Sequence, residues 1–132
     1  MLMLCAEELN MTKYGFDDSA WESAKNEVKK ILIERAKLRG MIPYSELVRQ
    51  IKSIDVEAHD QRLFHLLGEV STEEHAQGRG MLTVIVVHKH GDMQPGPGFF
   101  DLAKQLGKDT SDILSCWVKE LKNVHGYWSK QT

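Results

Sequence analysis

The sequence predicts an α+β fold that is mostly helical, with one or two buried strands. Two observations lead to this prediction: apolar residues recur at helical spacing through most of the chain, and one β-branched run, residues 81–87, departs from that period. The 132 residues are 42 % apolar and 27 % charged, which fits one globular domain that buries a core without disulfides. We expect residues 1–16 to form an N-terminal arm and residues 17–132 to form a single domain.

A long first helix is predicted to begin at Ser19, where Ser19-x-x-Glu22 has the spacing of a capping box. Gly40 is suited to a left-handed stop and predicts where the helix ends. One face of this helix is basic, because residues 25–39 contain six Lys and Arg against two Glu, a local excess of +4. The apolar positions of the helix are Trp21, Ala24, Val28, Ile31, Leu32 and Leu38.

Three shorter helices are predicted to follow. Pro43 is suited to the first turn of a short helix. A further helix is expected from about residue 59 to residue 69. The second capping box, Ser71-x-x-Glu74, predicts another short helix, which Gly78 ends.

Residues 81–87 are the best strand in the chain. They form a nearly continuous apolar, β-branched run between Gly80 and Gly91, which predicts a strand buried on both faces. One strand needs a partner, and we expect it from the Ile42 region, from residues 93–95 or from a second copy of the chain.

The C-terminal part is predicted to contain a shaped loop and two helices. Residues 91–98 contain two of the three prolines, which predicts the loop. The pattern from Phe99 to Leu106 predicts a short helix that Gly107 ends, and the last helix is predicted to begin near residue 110 or 111. The last helix carries a wide apolar stripe made of Ile113, Leu114, Trp117, Val118, Leu121, Val124 and Trp128.

This stripe, together with the Met-rich first residues, predicts a homodimer. Trp117 and Trp128 are of the residue type that anchors interfaces, and a small domain has limited core to receive both this stripe and the first helix. The alternative is that the stripe packs on the first helix within one chain.

The order long helix, short helix, helix, strand is that of a winged-helix arrangement, so the predicted core is winged-helix-like. Residues 40–47, Gly-Met-Ile-Pro-Tyr-Ser-Glu-Leu, resemble the opening of the DNA-binding domain of alkylguanine-DNA alkyltransferases. That family has a reactive Pro-Cys-His-Arg motif near the strand, where this chain has Val-Val-His-Lys at residues 86–89. No cysteine lies between Cys5 and Cys116, so this resemblance implies a fold and not alkyl transfer.

A second resemblance rests on three segments. They are Leu-Leu-Gly-Glu-Val-Ser at residues 66–71, Gly-Arg-Gly-Met-Leu-Thr at 78–83 and Pro-Gly-Pro-Gly-Phe-Phe-Asp-Leu-Ala at 95–103. These segments resemble a family of small, uncharacterised bacterial proteins over about residues 40–107. The resemblance implies a shared fold and no activity.

Nucleic-acid binding would depend on basic residues at phosphates. The candidates are Lys29 and Arg35 on the first helix and Arg79, Lys89 and His90 at the ends of the strand. Residues 55–76, which include the expected reading helix, hold six acidic residues against Arg62 alone, a local charge of −5 that would repel phosphate. The alternative is that the two charged patches are solvated faces or meet opposite patches on a second copy.

The candidate catalytic residues are His65, Glu69 and His88. His65 and Glu69 lie four residues apart on one helical face, where the carboxylate could raise the pKa of the imidazole in an acid/base pair. The alternative is a surface hydrogen bond. Glu69, His88 and the Pro-Gly-Pro-Gly loop together are the site expected if the protein is a small enzyme.

The Pro-Gly-Pro-Gly loop lies between the strand and a helix. Free N–H groups at a helix N-terminus form an anion site, so Gly96, Gly98 and Phe99 are ligand-binding candidates. The alternative is that Pro and Gly turn the chain while Phe99 and Phe100 anchor it in the core.

No metal and no cofactor is predicted. His88, His90 and Asp92 are close in sequence, but two His without a fixed third ligand are typical of exposed polar residues at a strand end. Two cysteines are too few for a disulfide framework, and no apolar run approaches the roughly 18 residues of a membrane span, so we expect a cytoplasmic protein with no membrane contact.

These observations predict a non-enzymatic interaction module that acts through protein contact or self-association. Two alternatives remain open: a winged-helix nucleic-acid-binding domain, and a small enzyme with its site at the Pro-Gly-Pro-Gly loop.

Overall fold

The computed structural model describes residues 12–89 and 94–131, and it confirms a mostly helical α+β fold. The helices of this part of the chain are α1 (Asp18–Lys37), α2 (Tyr44–Gln50), α3 (Gln61–Ala76), α4 (Pro97–Gln105) and α5 (Ile113–Trp128). The strands are β1 (Thr12–Lys13), β2 (Phe16–Asp17), β3 (Ile42–Pro43) and β4 (Val86–Val87). β1 pairs with β2 antiparallel, and β3 pairs with β4 parallel.

The core lies where α1, α3 and α5 meet around residues 81–87. α1 contacts α3, α5 and a 3₁₀ helix at Leu82–Ile85, and α3 and α5 contact the same 3₁₀ helix from their own sides. Trp21 and Leu32 of α1 and Leu63 and Leu66 of α3 are fully buried there. The apolar periodicity of the sequence therefore identified most of the inward face of α1, but Leu38 is 81 % exposed, because it lies at the C-cap where the helix ends.

The partner of the short strand β4 is the Ile42 region, as predicted. Ile42 lies opposite Val86 and Pro43 lies opposite Val87. This pairing places the start of α2 beside the residues that follow β4.

The prediction that residues 81–87 form one strand is wrong, because only Val86–Val87 is a strand and Leu82–Ile85 is a 3₁₀ helix. All seven residues are buried, as expected, but strand β3 pairs only with Val86–Val87, and side chains accept from backbone N–H groups earlier in the segment. The Met81 N–H donates to Glu120 Oε2 at 2.7 Å, and the Thr83 N–H donates to Ser71 Oγ at 3.0 Å. A continuous apolar run indicates that its residues are buried, but it does not indicate whether the backbone is helical or extended.

Neither capping box forms. α1 begins at Asp18, and its N-cap residue makes no side-chain cap bond. Ser71 and Glu74 lie inside α3, which runs unbroken to Ala76. Ser71 bonds Thr83 in the core and Glu74 pairs with Arg79 just beyond the helix end, so this Ser-x-x-Glu spacing does not mark a helix start.

The end of α1 is set by Arg39 and not by Gly40. Arg39 has φ +56°, its N–H bonds the Ala36 carbonyl, and the Gly40 N–H bonds the Arg35 carbonyl at 2.9 Å. This is the Schellman pattern with a non-glycine residue in the left-handed position. At the ends of α3 and α4 the predicted glycine stops are confirmed, since Gly78 and Gly107 have positive φ.

The glycines of the Pro-Gly-Pro-Gly loop do not supply left-handed backbone. Gly96 is the N-cap residue of α4 with φ −72°, and Gly98 lies exposed in the first turn with open space where a Cβ would be. The chain is anchored by Phe99 and Phe100, which are both buried.

Replacing Gly98 with Ala is therefore expected to raise the free energy of unfolding by about 0.5–1 kcal/mol, because Ala loses less backbone entropy on folding. Urea denaturation measures the change. Gly80→Ala is the matched control and is expected to lower the free energy of unfolding, since Gly80 has φ +90° and an added Cβ would lie 3.1 Å from Val124 Cγ2. A Gly98→Ala protein that is less stable than wild type would contradict this account of the loop.

Candidate functional site

The most densely charged site in the described residues lies between α1 and α3, and Lys25 is at its centre. The Lys25 side chain is only 8 % exposed, and its Nζ lies 2.7 Å from Glu73, 3.1 Å from Glu69 and 3.2 Å from Glu22. Burial by itself lowers the pKa of Lys25, but the hydrogen bonds that its ammonium donates to these carboxylates outweigh burial and raise the pKa above its usual value.

Glu69 and Glu73 are each held by several donors. Glu69 accepts from Trp21 Nε1 at 3.1 Å and pairs with Lys13 at 2.8 Å, in addition to Lys25. Glu73 pairs with Lys29 at 2.6 Å. Burial raises the pKa of both carboxyl groups, but these donors outweigh burial and hold each pKa below its usual range. We call Lys13, Lys25, Lys29, Glu22, Glu69 and Glu73 the α1–α3 charge network.

The nucleic-acid candidates are mostly engaged within the chain. Lys29 belongs to the α1–α3 charge network, Arg35 pairs with Glu46 at 2.7 Å, and Arg79 pairs with the buried carboxylate of Glu74 at 2.6 Å. Lys89 is exposed and forms no ion pair with any residue of 12–89 or 94–131, and His90 lies outside those ranges.

His65 and Glu69 do not form the acid/base pair that their spacing suggested. The His65 ring is exposed and stacks on Tyr14, with ring centroids 4.6 Å apart. Glu69 is occupied by Lys13, Trp21 and Lys25. A carboxylate that neutralises two ammonium groups is unsuited to accept a proton near neutral pH.

His88 and the Pro-Gly-Pro-Gly loop do come together, and Tyr44 joins them. The Gly96 N–H donates to the Tyr44 hydroxyl at 3.1 Å, and the Tyr44 and His88 rings lie 5.1 Å apart. Burial raises the pKa of Tyr44, and the Gly96 N–H partly offsets that rise. Glu69 contacts α1 and β1 instead, so the three parts of the expected enzyme site do not converge.

The loop N–H groups are largely used by the protein itself. Besides the Gly96 N–H, the Phe99 N–H donates to the Gly96 carbonyl at 3.1 Å. Of the three ligand-binding candidates, only Gly98 keeps an N–H group without a partner among the described residues. No local pattern in the sequence predicts the bond between Tyr44 and the loop, because the two residues lie 52 apart in the chain.

The remaining candidates concern metals and thiols. No group of three or more His, Cys, Asp or Glu that could hold a metal occurs within residues 12–89 and 94–131, while His90 and Asp92 lie outside these ranges, as does Cys5. Cys116 is buried, and burial, with a contribution from Glu120, raises the pKa of its thiol. A thiol with a raised pKa is a poor nucleophile.

An open groove of about 570 Å³ lies beside α2, and the sequence did not predict it. It is lined by Ser45, Val48 and Arg49 of α2, by Ile51 and by residues 55–59. We call it the α2 groove. Its lining is mixed, with Val48, Ile51 and Val56 beside the exposed carboxylates of Asp55 and Glu57.

Comparison with known proteins identifies no relative of this chain. No protein-family model, no curated protein and no solved structure matches this chain. Over the described ranges, none of the helices has the length and apolar character needed to cross a membrane. The function must therefore be inferred from the geometry of the chain itself.

Proposed function

We propose that this protein is a non-enzymatic interaction module that self-associates. The observation that carries the proposal is the α1–α3 charge network, in which Lys25 and Lys29 of the basic face of α1 pair with Glu69 and Glu73 of α3 in the same chain. Together with the pairs Arg35–Glu46 and Arg79–Glu74, this network engages three of the nucleic-acid candidates, and Glu69 is held by Lys13 and Lys25 instead of pairing with His65. Its two cysteines and its resemblance to small bacterial proteins support a place in a bacterial cytoplasm.

The proposal predicts that duplex DNA binds poorly at physiological salt, because Lys29, Arg35 and Arg79 are already paired with carboxylates. Fluorescence anisotropy with labelled duplex at two salt concentrations measures this affinity. Sub-micromolar binding that weakens steeply with added salt would favour the nucleic-acid alternative.

Self-association is supported by the first turn of α5. Ile113 and Leu114 are 50 % and 56 % exposed, although both are apolar. The rest of the stripe packs inward, since Val124 is buried and Trp117 and Trp128 are partly buried against the core. The first turn of α5 is thus the part of the stripe that remains available to a second copy.

Light scattering over a concentration series tests this proposal. We expect a mass that rises from 15.1 kDa towards twice that value, and a return to 15.1 kDa in Leu114→Lys. Leu38→Lys is the matched control, because Leu38 is also exposed and apolar but lies beyond the end of α1.

A wild-type mass that stays at 15.1 kDa at hundreds of micromolar would overturn self-association. A dimer that persists in Leu114→Lys but is lost on removal of residues 1–11 would place the contact in the N-terminal arm instead.

A further inference from the structure

We propose that residues 12–17, which we call the strap, open and close over Trp21 and Glu69 while the rest of the fold stays intact. This inference goes beyond the proposed interaction role and does not depend on self-association through α5.

The strap is a short hairpin with a strained turn. Its strands β1 and β2 contain two residues each and pair antiparallel. Both turn residues have positive φ, +53° at Tyr14 and +86° at Gly15, which is the pattern of a type I′ turn. Glycine adopts this conformation readily, but the Cβ of a tyrosine makes it unfavourable. The closed strap therefore holds Tyr14 in a backbone conformation that opening would relieve.

Aromatic stacking compensates for the strain at Tyr14. The Tyr14 ring lies nearly parallel to the exposed His65 ring of α3, with ring centroids 4.6 Å apart and an angle of 9° between the ring planes. Such a stack stabilises the closed strap and is lost when the strap opens.

Two contacts of charged groups complete the attachment of the strap to α3. Lys13 Nζ lies 2.8 Å from Glu69 Oε2, and the Arg62 guanidinium lies 4.7 Å from the centre of the Phe16 ring. The Lys13 side chain is 42 % exposed, and ion pairs that water reaches contribute little. A hairpin of two-residue strands is not stable once it is detached. We therefore expect the strap to detach and unfold in one step that needs less free energy than global unfolding.

The rest of the fold is held together without the strap. α1 begins at Asp18, directly after the strap, and its N-cap residue makes no side-chain cap bond that opening would break. The bonds of Lys25 to Glu69 and Glu73 join α1 to α3 and do not involve the strap. Opening is therefore a local event.

The strap covers an indole ring that lies beside a carboxylate. Trp21 is fully buried, and its Nε1–H donates to Glu69 Oε1 at 3.1 Å. The rings of Tyr14 and Phe16 lie 4.9 Å and 6.2 Å from the Trp21 ring. Opening removes both rings and the Lys13 ammonium, so it uncovers Trp21 next to a freed carboxylate oxygen. Because tryptophan is a frequent anchor of protein contacts, the strap determines whether this anchor is available.

Limited digestion of the full chain with trypsin under native conditions measures the opening. Lys13 is the first Lys or Arg of the sequence, so cleavage after it removes residues 1–13, which mass spectrometry detects. Trypsin cuts a folded chain only where the backbone has opened. We expect cleavage after Lys13 before any cut in α1 or α3, but more slowly than in a synthetic peptide that covers residues 8–18.

Gly15→Ala tests the contribution of the strained turn. Gly15 has φ +86° and open space where a Cβ would be, so the substitution adds strain to the closed strap without a clash. We expect the rate of cleavage after Lys13 to rise about fivefold. Gly107→Ala is the matched control, because Gly107 has the same φ and the same open space but lies at the end of α4. It is expected to leave the rate of cleavage after Lys13 unchanged.

His65→Ala tests the contribution of the stack. It leaves the turn as it is and removes the ring on which Tyr14 lies, so the rate of cleavage after Lys13 is again expected to rise about fivefold. His75→Ala removes the same ring from α3 at a position that makes no ring contact with a described residue, and it is expected to leave the rate unchanged.

Hydrogen exchange in low concentrations of urea separates strap opening from global unfolding. Strap opening exposes little surface, so exchange of the Trp21 indole N–H is expected to depend only weakly on urea. Exchange of the Leu66 amide in the buried part of α3 is expected to be slower and to accelerate steeply with urea.

Four outcomes would overturn the proposal. They are cleavage after Lys13 only together with cuts in α1, cleavage as fast as in the free peptide, equal acceleration by Gly107→Ala and Gly15→Ala, and the same urea dependence of exchange at Trp21 and Leu66. The first, third and fourth would show that the strap opens only with global unfolding, and the second would show that it is not closed in solution.

Discussion

Replacing Lys25 with Met is expected to lower the free energy of unfolding by about 2 kcal/mol, because it removes the ammonium group that lies between Glu69 and Glu73. This loss of stability is smaller than that expected for a fully buried ion pair, since the carboxylates of Glu69 and Glu73 remain partly exposed to water. Urea denaturation at neutral pH measures it. Lys30→Met is the matched control, because Lys30 is exposed on the same helix and forms no ion pair with a described residue.

The effect of Lys25→Met is also expected to depend on pH. Glu69 and Glu73 have lowered pKa values in the folded protein, so their stabilisation is present above the unfolded value of about 4.3 and is lost as the pH falls through the folded values. The gap in stability between wild type and Lys25→Met should therefore narrow below about pH 4. Lys25 has a raised pKa, so its own contribution is lost only on the alkaline side, above about pH 10.4. A gap that stays constant from pH 7 to acid would show that the network does not stabilise the fold.

Replacing Glu120 with Leu is expected to cost about 3 kcal/mol of stability, because it leaves a buried backbone donor without a partner. Glu120 is almost fully buried, and its Oε2 accepts from the Met81 N–H at 2.7 Å. Its Oε1 lies 3.1 Å from the Lys108 ammonium, which would also lose its partner.

Glu120→Gln is the conservative variant for this test. Its amide oxygen can still accept from the Met81 N–H, so the loss should be clearly smaller than in Glu120→Leu. Thermal and urea unfolding of the two variants measure the difference. If both variants lose the same stability, the pairing with Lys108 and not the bond to Met81 carries the contribution of Glu120.

Glu120 was not singled out from the sequence, although a signal was present. It lies four residues after Cys116 and four before Val124, and all three are buried on one face of α5. A carboxylate at a helical position otherwise occupied by apolar residues predicts a buried donor nearby, but the sequence does not say which one. The donor is the Met81 N–H, 39 residues away in the chain.

The helices could largely be predicted because their signals are local. The apolar spacing of residues 19–38 and the glycines at 78 and 107 act within a few residues of the structure they specify. The contacts of Ser71 and Glu74 could not be predicted in this way, because the same Ser-x-x-Glu spacing occurs at a helix start and inside a helix whose Ser bonds Thr83 in the core and whose Glu pairs with Arg79.

The sequence by itself determined that this protein is mostly helical, that residues 81–87 are buried, and that α1 is basic while residues 55–76 are acidic. Only the tertiary structure decided that these opposite charges meet within one chain, with Lys25 placed between Glu69 and Glu73. Only the tertiary structure, likewise, brought the Gly96 N–H to the Tyr44 hydroxyl and the Met81 N–H to the Glu120 carboxylate. The physical reason is that periodicity and net charge are properties of neighbouring residues, whereas the partner of a charge or of a backbone N–H depends on how separate elements pack.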